Sequence, residues 1–128
     1  MILPFLTIAS SNNRGRGVFT TEPINANTTI EIAPVIVVDV SDREKLEQTL
    51  LYDYIFEWGE DSKMAAVALG YISIYNHSNE PNCSYDMDFE QETITITTLK
   101  DIAIGEELFI NYMHPEGPSD DPVWFEQF

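Results

Sequence analysis

The sequence predicts a mainly β domain with one short helix, and three observations lead to this prediction. Thr28 to Val38 is rich in β-branched residues, which favour strands. Thr93 to Thr97 alternates threonine with isoleucine, the period of two expected of a strand with one face in water. Only Ser41 to Glu44 carries a clear helix signal, and turn residues separate the other apolar segments. By pattern alone, this arrangement fits several folds.

The first half of the chain is expected to form two short strands followed by the helix. The polar turn Pro23 to Asn27 precedes the β-branched run, and Ala33-Pro34 interrupts that run, so we expect it to divide into two strands. Ser41 and Glu44 match a capping box, in which both side chains satisfy free amides at a helix start. We therefore expect a helix from about Ser41 to Leu51.

The second half is expected to contain the remaining strands. Tyr52 to Trp58 is aromatic and β-prone, and the turn Gly59 to Ser62 leads into the apolar segment Met64 to Tyr75. After the threonine-isoleucine strand, Asp101 to Glu106 turns into a last strand, Glu107 to Tyr112. A chain of 128 residues fits a single domain.

The charge of the chain limits its partners. Six Lys and Arg residues against 22 Asp and Glu residues give a net charge of −16, which repels phosphate backbones and anionic lipid head groups. We therefore expect no direct contact with nucleic acid and none with a membrane. The acidity either attracts a basic partner or keeps the protein dispersed, and both interpretations remain open.

Cysteine and histidine usage argues against a metal site. Cys83 is the only cysteine, which excludes an internal disulfide and a cysteine-based zinc cluster. The two histidines, His77 and His114, lack the partner spacing of a metal site. The chain has no run of 18 apolar residues, and its start lacks the basic region of a secretory signal. We expect a cytoplasmic protein, or a nuclear one if the source has a nucleus.

Three short segments carry the candidate chemistry. In Arg14-Gly15-Arg16-Gly17-Val18-Phe19, two glycines let the backbone pass close to a ligand, although a lone GxG is more often an ordinary turn. Asn76 to Asn82 is a dense polar group, in which local turns are the common use of Asn and Ser. Gly105 to Tyr112 ends in a tyrosine that, without context, is usually a core residue.

Taken in order, the three segments resemble the SET-domain family of protein-lysine methyltransferases. They match its motifs GxG-V-F, N-H-S-x-x-P-N and G-E-E-L-x-x-x-Y, and the resemblance spans about Arg14 to Tyr112. It is strongest to the minimal viral and bacterial forms. The resemblance implies a β-clip-like fold of small sheets, with a C-terminal pseudoknot that brings the second and third segments together. We expect a SET domain over residues 1–115 and a flanking tail over 116–128.

The resemblance also implies an activity and the residues that perform it. SET enzymes transfer a methyl group from S-adenosylmethionine to a lysine and release S-adenosylhomocysteine. A histone tail or another basic protein is the expected substrate. The implied roles are cofactor contacts at Gly15, Arg16 and Gly17, a grip on the methionine portion by Asn76, adenine pairing by the His77 backbone, catalysis and cofactor contact by Tyr112, and the lysine channel lined by Tyr54.

The chain departs from many nuclear SET enzymes, which bind zinc through a cysteine after N-H-S and a cysteine-rich tail. Here Asn79 follows N-H-S, and the tail has no cysteine. The usual work of the zinc module, covering the adenine and completing the lysine channel, is then expected of Trp124 or Phe125. A partner chain is the alternative cover, and we expect a homodimer.

The chemistry explains why such residues are needed. A lysine amine has an unperturbed pKa near 10.4 and attacks only when neutral, so an apolar channel beside a cationic cofactor assists by lowering that pKa. A tyrosine hydroxyl can orient the amine in line with the methyl group. The alternative function is a non-catalytic module that binds basic peptides. Hydrolysis through Ser78 and His77 is disfavoured, because adjacent residues rarely meet the required geometry.

Overall fold

The structure is a computed structural model that describes residues 1–12 and 14–119. Within these ranges the chain forms strands, one α-helix and short 3-10 helices, so the predicted mainly β class is confirmed. The strands are β1 (Leu6–Ser11), β2 (Gly15–Thr20), β3 (Thr29–Val38), β4 (Ile55–Trp58), β5 (Met64–Ala68), β6 (Asn76–His77), β7 (Cys83–Asp88), β8 (Thr93–Thr98) and β9 (Glu107–Ile110). The helix α1 is Val40–Leu46, and the 3-10 helices are Leu50–Tyr54 and Ile72–Ile74.

Two sheets enclose the core. One has the strand order β1-β2-β9-β6, and the other has the order β4-β5-β3-β8-β7. Ile94 and Ile96 of β8 are fully buried while the threonines between them are half-buried, which confirms the predicted strand and its core-facing side. Val18, Leu108 and Ile110 bring the first sheet into the same core. None of the described helices is long and apolar enough to cross a membrane.

The β-branched run forms one strand, so the prediction of two strands was wrong. β3 changes partners along its length: Thr29 to Pro34 pairs with β8, and Val35 to Val38 pairs with β5. The Pro34 carbonyl accepts a hydrogen bond of 3.1 Å from the amide of Leu69, just after β5 ends. The missing N–H of Pro34 therefore falls at the end of that ladder, where proline is tolerated.

The helix begins earlier and ends sooner than the capping-box prediction. Its N-cap is Asp39 rather than Ser41, because the Asp39 carboxylate accepts from the amide of Asp42 at 2.9 Å. After α1 ends at Leu46, the hydroxyl of Thr49 caps a separate 3-10 helix by accepting from the amide of Leu51 at 3.1 Å. The aromatic segment that follows therefore begins as a 3-10 helix and becomes strand only at β4.

The end of the described chain lies against the loop that follows β6. β6 and β9 are parallel, with Asn76 opposite Phe109 and His77 opposite Ile110. Further along, the amide of Ser119 donates to the carbonyl of Asn79 at 2.9 Å. The second and third motif segments are therefore neighbours, as the resemblance implies. The division into a domain over 1–115 and a tail over 116–128 stays a prediction.

Asn82 fastens that loop to β9. Its side-chain amide nitrogen donates to the carbonyl of Glu107 at 2.8 Å, and its side-chain oxygen accepts from the amide of Phe109 at 2.8 Å. The buried side chain of Asn82 thus satisfies two backbone groups of β9 as a neighbouring strand would. The last residue of N-H-S-x-x-P-N therefore has a structural role.

Candidate active site

The three motif segments meet at one cavity of about 640 Å³. The cavity lies between the start of β2, the segment from Tyr52 to Glu57, the first residue of β6 and the residues that follow β9. Five of the residues singled out by the motifs and the resemblance line it: Gly15, Arg16, Tyr54, Asn76 and Tyr112. A second cavity of about 430 Å³ shares Tyr54 and Tyr112 with the first, so these two tyrosines lie where the cavities meet.

Tyr112 is fixed by three hydrogen bonds. Its hydroxyl donates to the carbonyl of Tyr75 at 2.7 Å, and its amide donates to Nδ1 of His77 at 3.0 Å. Its carbonyl accepts from the hydroxyl of Tyr85 at 2.8 Å. Burial is the main cause that raises the pKa of Tyr112 to about 12. The phenol is therefore neutral at physiological pH, and it can orient a reacting group but cannot accept its proton.

The ring of His77 supports Tyr112 from behind. Because Nδ1 accepts the Tyr112 amide, the neutral ring carries its hydrogen on Nε2, which lies 3.0 Å from Oδ1 of Asn79. The ring centroids of His77 and Tyr112 are 5.1 Å apart. The backbone carbonyl of His77 accepts from Nη1 of Arg14 at 2.6 Å. His77 is buried and does not line the cavity, so its expected adenine contact stays a prediction.

Asn76 lies in the cavity wall with both amide hydrogens engaged. Its Nδ2 donates to the carbonyl of Arg16 at 3.0 Å and to Oε2 of Glu107 at 2.7 Å. Among the residues that the structure describes, no donor contacts its Oδ1. The side chain therefore offers the cavity an acceptor.

The two glycines of the first motif have different surroundings. Gly15 lines the cavity and has a φ of +71°, a backbone conformation that favours glycine. Gly17 does not line the cavity, and a Cβ atom there would overlap Oε2 of Glu107 and lie 2.9 Å from Nδ2 of Asn76. Close packing therefore explains why position 17 requires glycine. The expected contact of Gly17 with a cofactor stays a prediction.

Of the two tyrosines that line both cavities, Tyr54 is more exposed to solvent than Tyr112. Its side chain is exposed, and its carbonyl accepts from the hydroxyl of Ser73 at 2.8 Å. This position at the meeting point of the two cavities suits the expected channel, although the role itself stays a prediction. Trp124 and Phe125, expected to cover the site, lie outside the described residues.

Sequence reasoning missed the carboxylate that supports the site from the core. Glu31 is fully buried, with Oε2 accepting from the amide of Tyr71 at 2.7 Å and Oε1 accepting from the hydroxyl of Tyr75 at 2.8 Å. Burial raises the pKa of Glu31. It anchors the segment whose Tyr75 carbonyl in turn anchors Tyr112. A lone glutamate inside an apolar strand was the available signal.

Arg14 and Glu107 were also missed as site residues, although both stand inside quoted motifs. The guanidinium of Arg14 lies 5.4 Å from the ring centre of Phe109 and lines the cavity. No spacing in the sequence indicates that Glu107 meets Asn76, since their contact depends on the parallel pairing of β6 with β9.

Sequence comparison identifies relatives of the chain. The family model of the SET domain matches residues 15–113. A histone-lysine N-methyltransferase of Schizosaccharomyces pombe, specific for H3 lysine 37, is 38% identical over 122 residues, which cover 94% of this chain and 77% of that protein.

Comparison with solved structures supports the same fold. A candidate histone methyltransferase of Plasmodium falciparum superposes with a TM-score of 0.63 at 24% identity, covering 98% of this chain and 100% of that chain. A chain of the Chaetomium thermophilum Polycomb Repressive Complex 2 superposes with a TM-score of 0.73 at 20% identity, covering 87% of this chain and 16% of that chain. At these identities the likeness concerns the fold alone, and it agrees with the fold expected from the motifs.

Proposed function

The chain belongs to the SET-domain family and is a protein-lysine methyltransferase, and we propose that it transfers methyl groups from S-adenosylmethionine to a lysine of a histone tail or another basic protein. The observation that carries the proposal is the position of Tyr112. The hydroxyl, amide and carbonyl of this residue are each held by a different neighbour, and its side chain lies where two cavities meet. A methyl donor in one cavity and an amine in the other would come together beside it.

The larger cavity fits the methyl donor that SET enzymes generally use. Its volume lies in the usual range for cofactor-sized ligands. The acceptor oxygen of Asn76 suits the ammonium of the amino-acid portion, and the guanidinium groups of Arg14 and Arg16 suit its carboxylate. When bound, S-adenosylmethionine supplies a methyl group on a positive sulfonium. Gly15 would let the backbone approach it.

Three remaining cofactor roles rest on the resemblance. The backbone of His77 would pair with the adenine, which requires the guanidinium of Arg14 to move or to share that carbonyl. The backbone of Gly17 would contact the cofactor. Trp124, in the tail, would cover the cofactor.

The smaller cavity suits the lysine side chain. Its wall is mixed: an apolar part beside Tyr112 consists of Tyr85, Met87, Met113 and Pro115, and the carboxylates of Asp53 and Glu57 also contribute to the lining. The carboxylates would attract a lysine side chain, whereas the apolar part and the positive sulfonium of the methyl donor would disfavour the charged amine beside Tyr112 and assist the loss of its proton. The neutral hydroxyl of Tyr112 can then orient the amine toward the methyl group without exchanging a proton with it.

Charge and relationship favour a histone tail as the substrate. The net charge of −16 attracts a lysine-rich segment. The relative from Schizosaccharomyces pombe is specific for lysine 37 of H3. We accordingly propose a nuclear site of action where the source or host has a nucleus.

The test is methyl transfer to core histones. Purified protein is incubated with labelled S-adenosylmethionine and histones, and Tyr112→Phe is compared with Tyr71→Phe, the same chemical change at a tyrosine that does not line the cavity. We expect Tyr112→Phe to lower kcat about 10²-fold, because the amine loses its orientation. Tyr71→Phe should retain most of the activity. Cofactor binding without transfer to any basic protein would contradict the proposal.

We further propose that a second copy of the chain completes the site, as the minimal SET forms suggest. Sedimentation equilibrium tests this directly: a mass of twice 14.6 kDa is expected. A monomer that is fully active at nanomolar concentration would contradict the dimer and leave the cover to the tail.

A further inference from the structure

Glu107 lies outside the larger cavity, and its carboxylate accepts a hydrogen bond from the side-chain amide of Asn76, which lines that cavity. We propose that Glu107 is a positioning residue that fixes the side-chain amide of Asn76 with its oxygen facing the cavity, where it receives the α-ammonium of the cofactor. The inference rests on the proposed function, because the cofactor supplies that ammonium. It concerns how this chain selects the amino-acid portion of its ligand.

Both oxygens of Glu107 are held in place. Oε1 accepts from the hydroxyl of Ser11 at 2.6 Å, and Oε2 accepts from Nδ2 of Asn76 at 2.7 Å. Ser11 lies at the end of β1, Glu107 opens β9 and Asn76 opens β6, so three strands of one sheet fix the geometry. A charged acceptor held on both oxygens makes a strong and directional contact.

The two partners of the Asn76 nitrogen allow only one amide orientation. The carboxylate of Glu107 and the carbonyl of Arg16 are acceptors without hydrogens. If the amide were turned over, Oδ1 would face two oxygens, one of them charged. Both hydrogens therefore point at the protein, and Oδ1 is left for the cavity. No buried polar side-chain atom among the described residues lacks a partner, so this oxygen is open to solvent or ligand.

Gly17 makes the arrangement possible. A Cβ at this position would overlap Oε2 of Glu107 and lie 2.9 Å from Nδ2 of Asn76, so any larger residue would push the pair apart. The second glycine of the first motif, the asparagine of the second motif and a glutamate of the third motif thus form one contact. Their joint product is an acceptor-only oxygen in the cavity wall, which suits an ammonium and repels a carboxylate.

The test compares two ligands that differ in the amino-acid portion, which bears the ammonium. S-adenosylhomocysteine carries the amino-acid portion, whereas 5′-methylthioadenosine lacks it. Dissociation constants are measured by calorimetry for the wild type, Glu107→Leu and Glu107→Gln. We expect Glu107→Leu to weaken the binding of S-adenosylhomocysteine about tenfold, because the side-chain amide of Asn76 loses its orientation. The affinity for 5′-methylthioadenosine should stay within about twofold of the wild-type value.

Glu107→Gln serves as the conservative rescue. Its Oε1 can still accept from Asn76 while its Nε2 donates to the hydroxyl oxygen of Ser11, so the amide orientation survives. We expect it to recover most of the affinity for S-adenosylhomocysteine. Equal weakening of both ligands in Glu107→Leu, no weakening at all, or a Glu107→Gln variant as weak as Glu107→Leu would each overturn the inference.

The outcomes also separate this inference from the proposed function. Normal methyl transfer by a Glu107→Leu variant that binds S-adenosylhomocysteine with wild-type affinity overturns the inference and leaves the function standing. A wild-type protein that binds neither ligand overturns both. If circular dichroism shows that Glu107→Leu does not fold, Ser11→Ala decides instead. Ser11→Ala is then expected to weaken the binding of S-adenosylhomocysteine about threefold and to leave the binding of 5′-methylthioadenosine unchanged. An equal change in the affinities for both ligands would overturn the inference.

Discussion

At the scale of one residue, the contacts of Tyr112 suit the orienting role proposed for it. Each polar group of its backbone and its hydroxyl has a partner in a different element, so the phenol has little freedom to move. Its raised pKa keeps the phenol neutral, which is compatible with the proposed role of orienting the reacting groups and not with that of a base. The motif predicted this residue, whereas its anchors at Tyr75, Tyr85 and His77 depend on folding and were not predictable from spacing.

The pKa of Tyr112 predicts how stability changes in alkali. In the unfolded chain a tyrosine ionises near pH 10, whereas burial moves the folded-state pKa to about 12. The contribution to stability is therefore complete below pH 10 and is lost as the pH rises from about 10 to 12. Urea unfolding at intervals across this range should show a falling free energy of unfolding.

Tyr112→Phe checks the assignment of that loss. The variant lacks the ionising group, so its stability should fall less steeply than that of the wild type over the same pH range. Tyr75, Tyr85 and Cys83, whose pKa values are also raised by burial, contribute to the decline that remains. Identical slopes for the two proteins would contradict the raised pKa of Tyr112.

At the scale of elements, the pairing of β6 with β9 assembles the site. This short parallel contact places Asn76 beside Phe109 and brings Glu107 within reach, although the two segments are far apart in the sequence. Local patterns predicted β8 and the turns well, because alternation and turn residues are local signals. They failed for β3 and α1, where a change of strand partner at Pro34 and a competing cap at Asp39 decided the outcome.

The turn before β6 gives a prediction about the anchoring carboxylate. Gly70 has a φ of +65°, and a Cβ there would overlap Oε2 of Glu31 and lie 3.3 Å from Cβ of Ala33. Gly70→Ala should therefore lower the free energy of unfolding by about 3 kcal/mol, from backbone strain and overpacking together.

Gly105→Ala is the matched control for that change. Gly105 also has a positive φ, +84°, but a Cβ there would meet nothing within 4 Å. Backbone strain alone should cost about 1 kcal/mol. Urea denaturation of both variants gives the comparison, and equal losses would mean that the Glu31 carboxylate is not packed against the turn.

For the whole molecule, composition and fold act together. Pattern alone reached a mainly β domain, and only the order of three motifs led to the SET fold, because threading of the chain leaves no periodic trace in a sequence. The net charge then bears on the choice of substrate, which the fold does not specify. With −16 on 128 residues, the surface should draw basic segments toward the cavities.

This charge predicts a dependence on salt. We expect kcat/KM for a lysine-rich histone peptide to fall about tenfold as salt rises from about 0.05 M to 0.5 M, because screening shortens the reach of the surface charge. A peptide with the same target lysine but serines in place of the flanking basic residues should respond much less. Equal responses of the two peptides would assign the acidity to solubility alone.

The most direct measurement is a crystal structure of the protein with S-adenosylhomocysteine and a lysine peptide. We predict that the sulfur lies in the larger cavity and that the lysine amine arrives through the smaller one, so that the two meet beside the hydroxyl of Tyr112. The ammonium of the product should contact Oδ1 of Asn76. A cofactor bound away from Asn76, or a lysine that approaches without passing Tyr54 and Tyr112, would contradict the proposed function of this site.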